Sequence, residues 1–122
     1  DPTISRITLV AQGDAKTLEQ IKKQLNKLID VIKIQDLTDE GFVDRELMLV
    51  KIKATPEIKK SLESLMSQYQ IKIADEMTKS VTLECTESRE NIKKIFEIFK
   101  KIGIEEIAQT GTVALSKKAP KD

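Results

Sequence analysis

Apolar residues change their spacing several times along this chain, and each change marks an element. Ile7, Leu9 and Ala11 alternate with Arg6, Thr8 and Val10, which predicts a strand over residues 4–11. Gly13 and Asp14 end it, and Asp14 suits the N-cap of a helix whose apolar residues Leu18, Ile21, Leu25, Leu28 and Ile32 recur three or four apart. Glu19, Lys22, Lys23 and Lys27 take the opposite, wet face. The helix is expected to end near Ile29 or Asp30 and to pass directly into a β-branched strand over residues 31–37.

TDEGFVD, residues 38–44, sets one glycine among acids and reads as a linker. The pattern then restarts. ELMLVKI, from Glu46, is almost continuously apolar, which predicts a strand covered by a helix on one face and by a partner on the other. Thr55-Pro56-Glu57 carries the start signals of a helix, with Ile58, Leu62, Leu65, Met66 and Tyr69 as its buried face. Strands over residues 71–75 and 81–85 follow. A helix from about Ser88 buries Ile92, Ile95, Phe96, Phe99 and Ile102, stops at Gly103, and releases a last strand from Ile104 to about Thr110. Residues 45–116 thus read as β-α-β-β-α-β, the ferredoxin-like order in which two helices cover one face of a four-stranded antiparallel sheet. Residues 1–37 supply only β-α-β, and residues 117–122 read as a disordered tail. The fold class is α+β. A lone β-α-β leaves half a sheet and half a helical layer unfilled, so a neighbour is expected to complete it.

Composition narrows the chemistry. The 122 residues contain no histidine, which removes the commonest general base and the commonest metal ligand, and with them Ser-His-Asp and Cys-His catalysis and most zinc sites. Cys85, alone of its kind, alternates with Val81 and Leu83 on the apolar side of its strand and reads as a buried, inert thiol. DLTDEG from Asp36 places glycine at the sixth position of a calcium loop, but Thr38 and Leu47 occupy positions that need an acid, so a solvated turn is the reading. Lys53-Ala54-Thr55-Pro56 lacks the glycines of a phosphate loop. Catalytic, cofactor-binding and metal-binding residues are therefore expected to number none. Twenty-one basic and twenty acidic residues are interspersed, giving a net charge of +1 and no field to draw in a polyanion or an anionic membrane. Single-stranded RNA would need aromatics on the central strands, and RELMLVKIK and SVTLEC have none. No apolar run approaches the roughly 20 residues of a membrane span, and the opening residues carry no signal-peptide pattern. A soluble, cytoplasmic partner-binding protein is expected.

Three separated runs carry a more specific signal. GDAKTLEQIKKQLNKLIDVIKIQDL from Gly13, DRELMLVKIKATPE from Asp44 and IAQTGTVALSK from Ile107, preceded by DPTISRIT from Asp1, resemble in this order the small, regulatory subunit of acetolactate synthase, also called acetohydroxyacid synthase. The resemblance implies a partial N-terminal ACT domain over residues 1–37 and a ferredoxin-like domain over residues 45–116. It further implies a homodimer that binds and activates a catalytic subunit, whose thiamine diphosphate, Mg and FAD are not held by this chain. Feedback by valine or another branched-chain amino acid would act through the complex. In the family the effector is held by a loop and helix that precede the second ACT strand, where Asp1 stands, so no effector-binding residue is carried over and effector binding is expected to be lost or reduced unless residues precede Asp1. A free-standing ACT-like sensor of a small molecule is the alternative from another class. For partner contacts the candidates are Arg6, Arg45 and Glu46, charged residues in matching segments, and Leu47 and Leu49, which a single helical layer cannot cover from the far side of the sheet.

Overall fold

The computed structural model of the chain describes residues 6–28, 34, 36–37 and 41–118. It divides into two units, residues 1–43 with 115–122, and residues 44–114. Its elements are α1 (Ala15–Asn26), β1 (Phe42–Lys53), α2 (Pro56–Gln68), β2 (Ile71–Glu76), β3 (Ser80–Glu87), α3 (Arg89–Ile102), β4 (Ile104–Gln109) and β5 (Val113–Ser116).

In the larger unit the strands lie in the order β2-β3-β1-β4, every neighbouring pair antiparallel. This is the ferredoxin-like arrangement, with α2 and α3 as its crossovers. Pairing β1 with β3 sets Met48 opposite Cys85, Val50 opposite Leu83 and Ile52 opposite Val81. Strand side chains alternate between faces, so these six share one side, and all but Val81, at 3%, are fully buried. Leu62 and Leu65 of α2 and Ile92, Ile95 and Phe99 of α3 close over them. One apolar stripe per helix against one sheet face accounts for the core.

The helix ends follow their local chemistry. The Thr55 hydroxyl accepts from the Ile58 N–H at 3.2 Å, and the Ser88 hydroxyl accepts from the Asn91 N–H at 3.2 Å. Gly103 ends α3 at φ 110, outside the range L side chains favour, and its N–H donates to the Phe99 carbonyl at 2.8 Å. Met66 departs from the expected buried face of α2 and is 37% exposed. It follows Leu65 by one residue, about 100° around the helix, which turns it off the apolar stripe.

Two boundaries differ from the sequence reading, and one pairing is irregular. β1 begins at Phe42, inside the segment read as a linker. A fifth strand, β5, pairs with β1 after the break at residues 110–112, and beyond it the Lys117 N–H donates to the Gly41 carbonyl at 2.8 Å. VALS shows no period because a four-residue strand offers too few positions for one. The pairing of β2 with β3 shifts between Ile73 and Asp75, and Ile73, on an edge strand, stays 45% exposed.

In the smaller unit α1 forms as expected, with the Asp14 carboxylate accepting from the Thr17 N–H at 2.8 Å. Its amphipathic face is unburied: no α1 residue is buried, and Leu28 just beyond is 56% exposed. The strand expected over residues 4–11 is corrected by the structure. Residues 6–12 form no strand, and Ile7 and Leu9 are 81% and 65% exposed. Alternation only prepares a strand, and a hydrogen-bonded ladder and a covering layer decide it. The second expected strand, 31–37, falls mainly outside the described residues, and Ile34, Asp36 and Leu37, which are described, are not in a strand.

Candidate functional site

The sequence-selected residues separate by strand parity. Leu47, Leu49 and Lys51 alternate with the core residues of β1 and so stand on the face without helices. Leu49 lies across from Glu84 of β3 and Ala108 of β4 and is 37% exposed. Lys51 lies across from Glu106, and its Nζ donates to the Glu106 carboxylate at 3.0 Å, which raises the lysine pKa. The open face is thus a short apolar stripe beside exposed charges. Leu47 is half-buried, and its end of β1 is fastened by Thr110: the Leu47 N–H donates to the Thr110 hydroxyl at 3.0 Å, and the Thr110 N–H donates to the Leu47 carbonyl at 3.0 Å.

Arg45 and Glu46 part company although adjacent. Arg45 is exposed, and its Nη1 donates to the neighbouring Asp44 carbonyl at 2.6 Å. Glu46 is half-buried on the helix-covered side and accepts a hydrogen bond from the Thr112 hydroxyl. Arg6 belongs to the smaller unit and is exposed.

Sequence reasoning missed Asp44 and Arg89. The Asp44 carboxylate accepts from the Arg89 N–H at 2.8 Å, tying the start of α3 to β1 across 45 positions of sequence. Beside this tie a groove of about 350 Å³ runs between α3 and the sheet, lined by Glu46, Arg89, Ile92, Lys93, Phe96, Glu97 and Gln109. Only the placement of Glu46 and Gln109 from two strands beside α3 makes a groove there.

Nothing in this unit prepares a nucleophile. Cys85 is fully buried, and burial, reinforced by the charges of Glu84 and Glu87, pushes its thiol up to about 12. It therefore stays protonated near neutrality. Among the described residues no three His, Cys, Asp or Glu side chains gather as a metal site, and no helix is long and apolar enough to cross a membrane.

Comparison with known proteins decides the family. The family model described as the small subunit of acetolactate synthase matches residues 45–118, more than half of the chain. The chain belongs to the acetolactate synthase small-subunit family. A second model, an ACT domain like that of the acetohydroxyacid synthase small subunit, matches residues 1–33. The probable acetolactate synthase small subunit of Methanothermobacter thermautotrophicus is 42% identical over 117 residues, covering 95% of this chain and 70% of that protein. The acetolactate synthase small subunit of Bacillus subtilis is 35% identical over 115 residues, 93% of this chain and 67% of its own. A chloroplastic acetolactate synthase small subunit of Arabidopsis thaliana is 41% identical over 108 residues, 88% of this chain but 23% of that longer protein. The crystal structure of the Thermotoga maritima acetolactate synthase small subunit superposes with a TM-score of 0.74 at 33% identity, covering 89% of this chain and 68% of that one. The α+β class, with an ACT-like part ahead of a ferredoxin-like domain, is that of this family.

Proposed function

We propose that this chain is a non-catalytic regulatory subunit of an acetolactate synthase in branched-chain amino acid biosynthesis, docking on a catalytic subunit and raising its activity. Thiamine diphosphate, Mg and FAD would be held by that partner. The observation that carries the reading is collinearity: the two family models lie in order along residues 1–33 and 45–118. A chain without histidine, whose one thiol is buried and protonated, suits a subunit that acts by binding. We assign residues 1–37 to the ACT-like part, 38–44 to the connection and 45–116 to the second domain, and place the complex in the cytoplasm or a plastid stroma.

Activation and feedback then reduce to differential binding. The subunit favours the active state of the synthase, and valine or another branched-chain amino acid favours a state in which that contact is weaker. Such coupling is reciprocal and is typically about 1–3 kcal/mol. Two copies of the chain are proposed to meet through the Leu47 and Leu49 face, and Arg6, Arg45 and Glu46 stand as candidate charged contacts to a partner.

The test is acetolactate production by the cognate catalytic subunit, alone and with this chain, each with and without saturating valine. Stimulation is the expected result, with reversal by valine weak or absent because effector binding is expected to be lost or reduced. Full reversal by valine would overturn that expectation, and no stimulation together with no complex on a sizing column would remove the regulatory reading.

A further inference from the structure

The open face of the sheet carries charges as well as the Leu47 and Leu49 stripe, and their placement is uneven. Alternation along β1 puts Arg45 and Lys51 on this face with the two leucines, and strand pairing sets Thr86 across from Leu47 and both Glu84 and Ala108 across from Leu49. Val113 shares the face, since Ala114 beside it is buried, and is 64% exposed. Lys51 is already answered. Its ammonium pairs with Glu106 at 3.0 Å, and Glu105 and Asp75 add to the negative field around it. Arg45 and the half-buried Glu84 have no such answer: among the described residues neither has an ion-pair partner, and Lys72, across from Glu84 on β2, forms no ion pair with it.

These two charges are placed self-complementarily. Because β1 and β3 run antiparallel, Arg45, two residues before Leu47, and Glu84, two before Thr86, lie on opposite sides of the Leu47 and Thr86 pair, each about 7 Å away along the strands. A two-fold axis in the plane of the face, crossing the strands at Leu47 and Thr86, turns one side onto the other. It sets Leu47 against Leu47 of a second copy and lays the stem of Arg45 over Leu49 of that copy, with the guanidinium beside its Glu84. Val113, at the Arg45 end, is brought toward Ala108 at the Leu49 end. Other axes fail on charge. Crossing the strands at Leu49 would set Glu84 against Glu84, and an axis along β1 would set Arg45 against Arg45 and Lys51 against Lys51.

We propose that a second copy of the chain docks on this face about a two-fold axis at Leu47 and Thr86, with Arg45 of each copy paired to Glu84 of the other. The proposal rests on the reading that two copies meet through the Leu47 and Leu49 face, and adds the register and the charges that fix it. Sheets packed face to face stand about 10 Å apart, a gap that an arginine side chain spans together with the glutamate it meets.

The experiment is sedimentation velocity of the full chain over a dilution series, with the native chain, Leu49→Glu, Arg45→Glu, Glu84→Lys and the double reversal compared. Leu49→Glu tests the face alone and should abolish the dimer. Arg45→Glu and Glu84→Lys should each weaken it by at least about tenfold, because each creates two like-charge contacts, and the double reversal should return to within about threefold of the native affinity. Cross-linking with a short bis-maleimide reads the axis in chains of native charge, the buried Cys85 staying out of the reaction. Thr86→Cys sits on the axis and should cross-link. Thr82→Cys, four residues away on β3, is separated from its copy by about eight residues of strand, roughly 26 Å, and should not. Native affinity in Arg45→Glu, a double reversal no tighter than either single one, or a failure of Thr86→Cys to cross-link would overturn the register, and loss of the dimer in Leu49→Glu would still retain the face. A dimer that survives Leu49→Glu, or a chain that is monomeric throughout, would overturn both.

Discussion

Val50 and Leu49 are neighbours on β1 with opposite environments, and replacing each by alanine measures whether anything covers the second face of the sheet. Val50 is fully buried between Leu83 and the helices. Val50→Ala removes two carbon groups at about 0.8 kcal/mol each and adds the cost of the space left behind, about 2–3 kcal/mol together. Leu49→Ala removes three groups, but the side chain is 37% exposed and the site closes over with solvent, so about 1 kcal/mol is expected of the monomer. A second copy seated on this face would add to that cost, because Leu49 would then be desolvated in the assembly. Urea unfolding of both variants at two widely separated protein concentrations, alongside sedimentation velocity, reads the difference. Val50→Ala should shift the midpoint by the same amount at both concentrations, whereas the Leu49→Ala shift should grow with concentration. An equal cost for the two variants at every concentration would refute the assignment of faces. A Leu49→Ala shift that ignores concentration, in a chain that sediments as a dimer, would refute dimerisation through this face.

Three further outcomes follow from the geometry. Gly103 has open space around it but sits at φ 110, so Gly103→Ala should destabilise the larger unit by about 1 kcal/mol through backbone strain alone, read as a lower melting temperature without loss of α3. Native Cys85 should resist thiol reagents at pH 8, since burial holds its thiol up at about 12, and should react at once when urea exposes it; reaction in the folded protein would contradict its burial. The Asp14 carboxyl is held below its ordinary value by the Thr17 N–H, so its contribution to α1 is present above the unfolded-state value and is lost as pH falls through the folded-state value. Far-UV circular dichroism should show α1 fraying over that acidic window in the native chain, with the window absent in Asp14→Ala.

How far the sequence could be read depended on where local pattern and tertiary packing agreed. Over residues 46–110 they agree: the Thr55 and Ser88 caps, the Gly103 stop and the apolar stripes of α2 and α3 each appear in the chain before the fold is known, because each is encoded within a few residues. Cys85 was legible for the same reason, since its parity with Val81 and Leu83 places it on the covered side. The family, too, is written in the order of three short runs. What needs a partner in space was not legible. Residues 6–11 alternate as well as any strand in the chain and yet form none, because a ladder depends on another segment lying alongside. The near-continuous apolar run of β1 left Leu47 and Leu49 as candidates for the open face, and the helices over Val50 leave Leu49 there. The groove at Arg89 was beyond a linear reading altogether: its lining comes from positions 46, 89–97 and 109, and residues so far apart in the chain become neighbours only when the antiparallel sheet brings β1 and β4 together under α3.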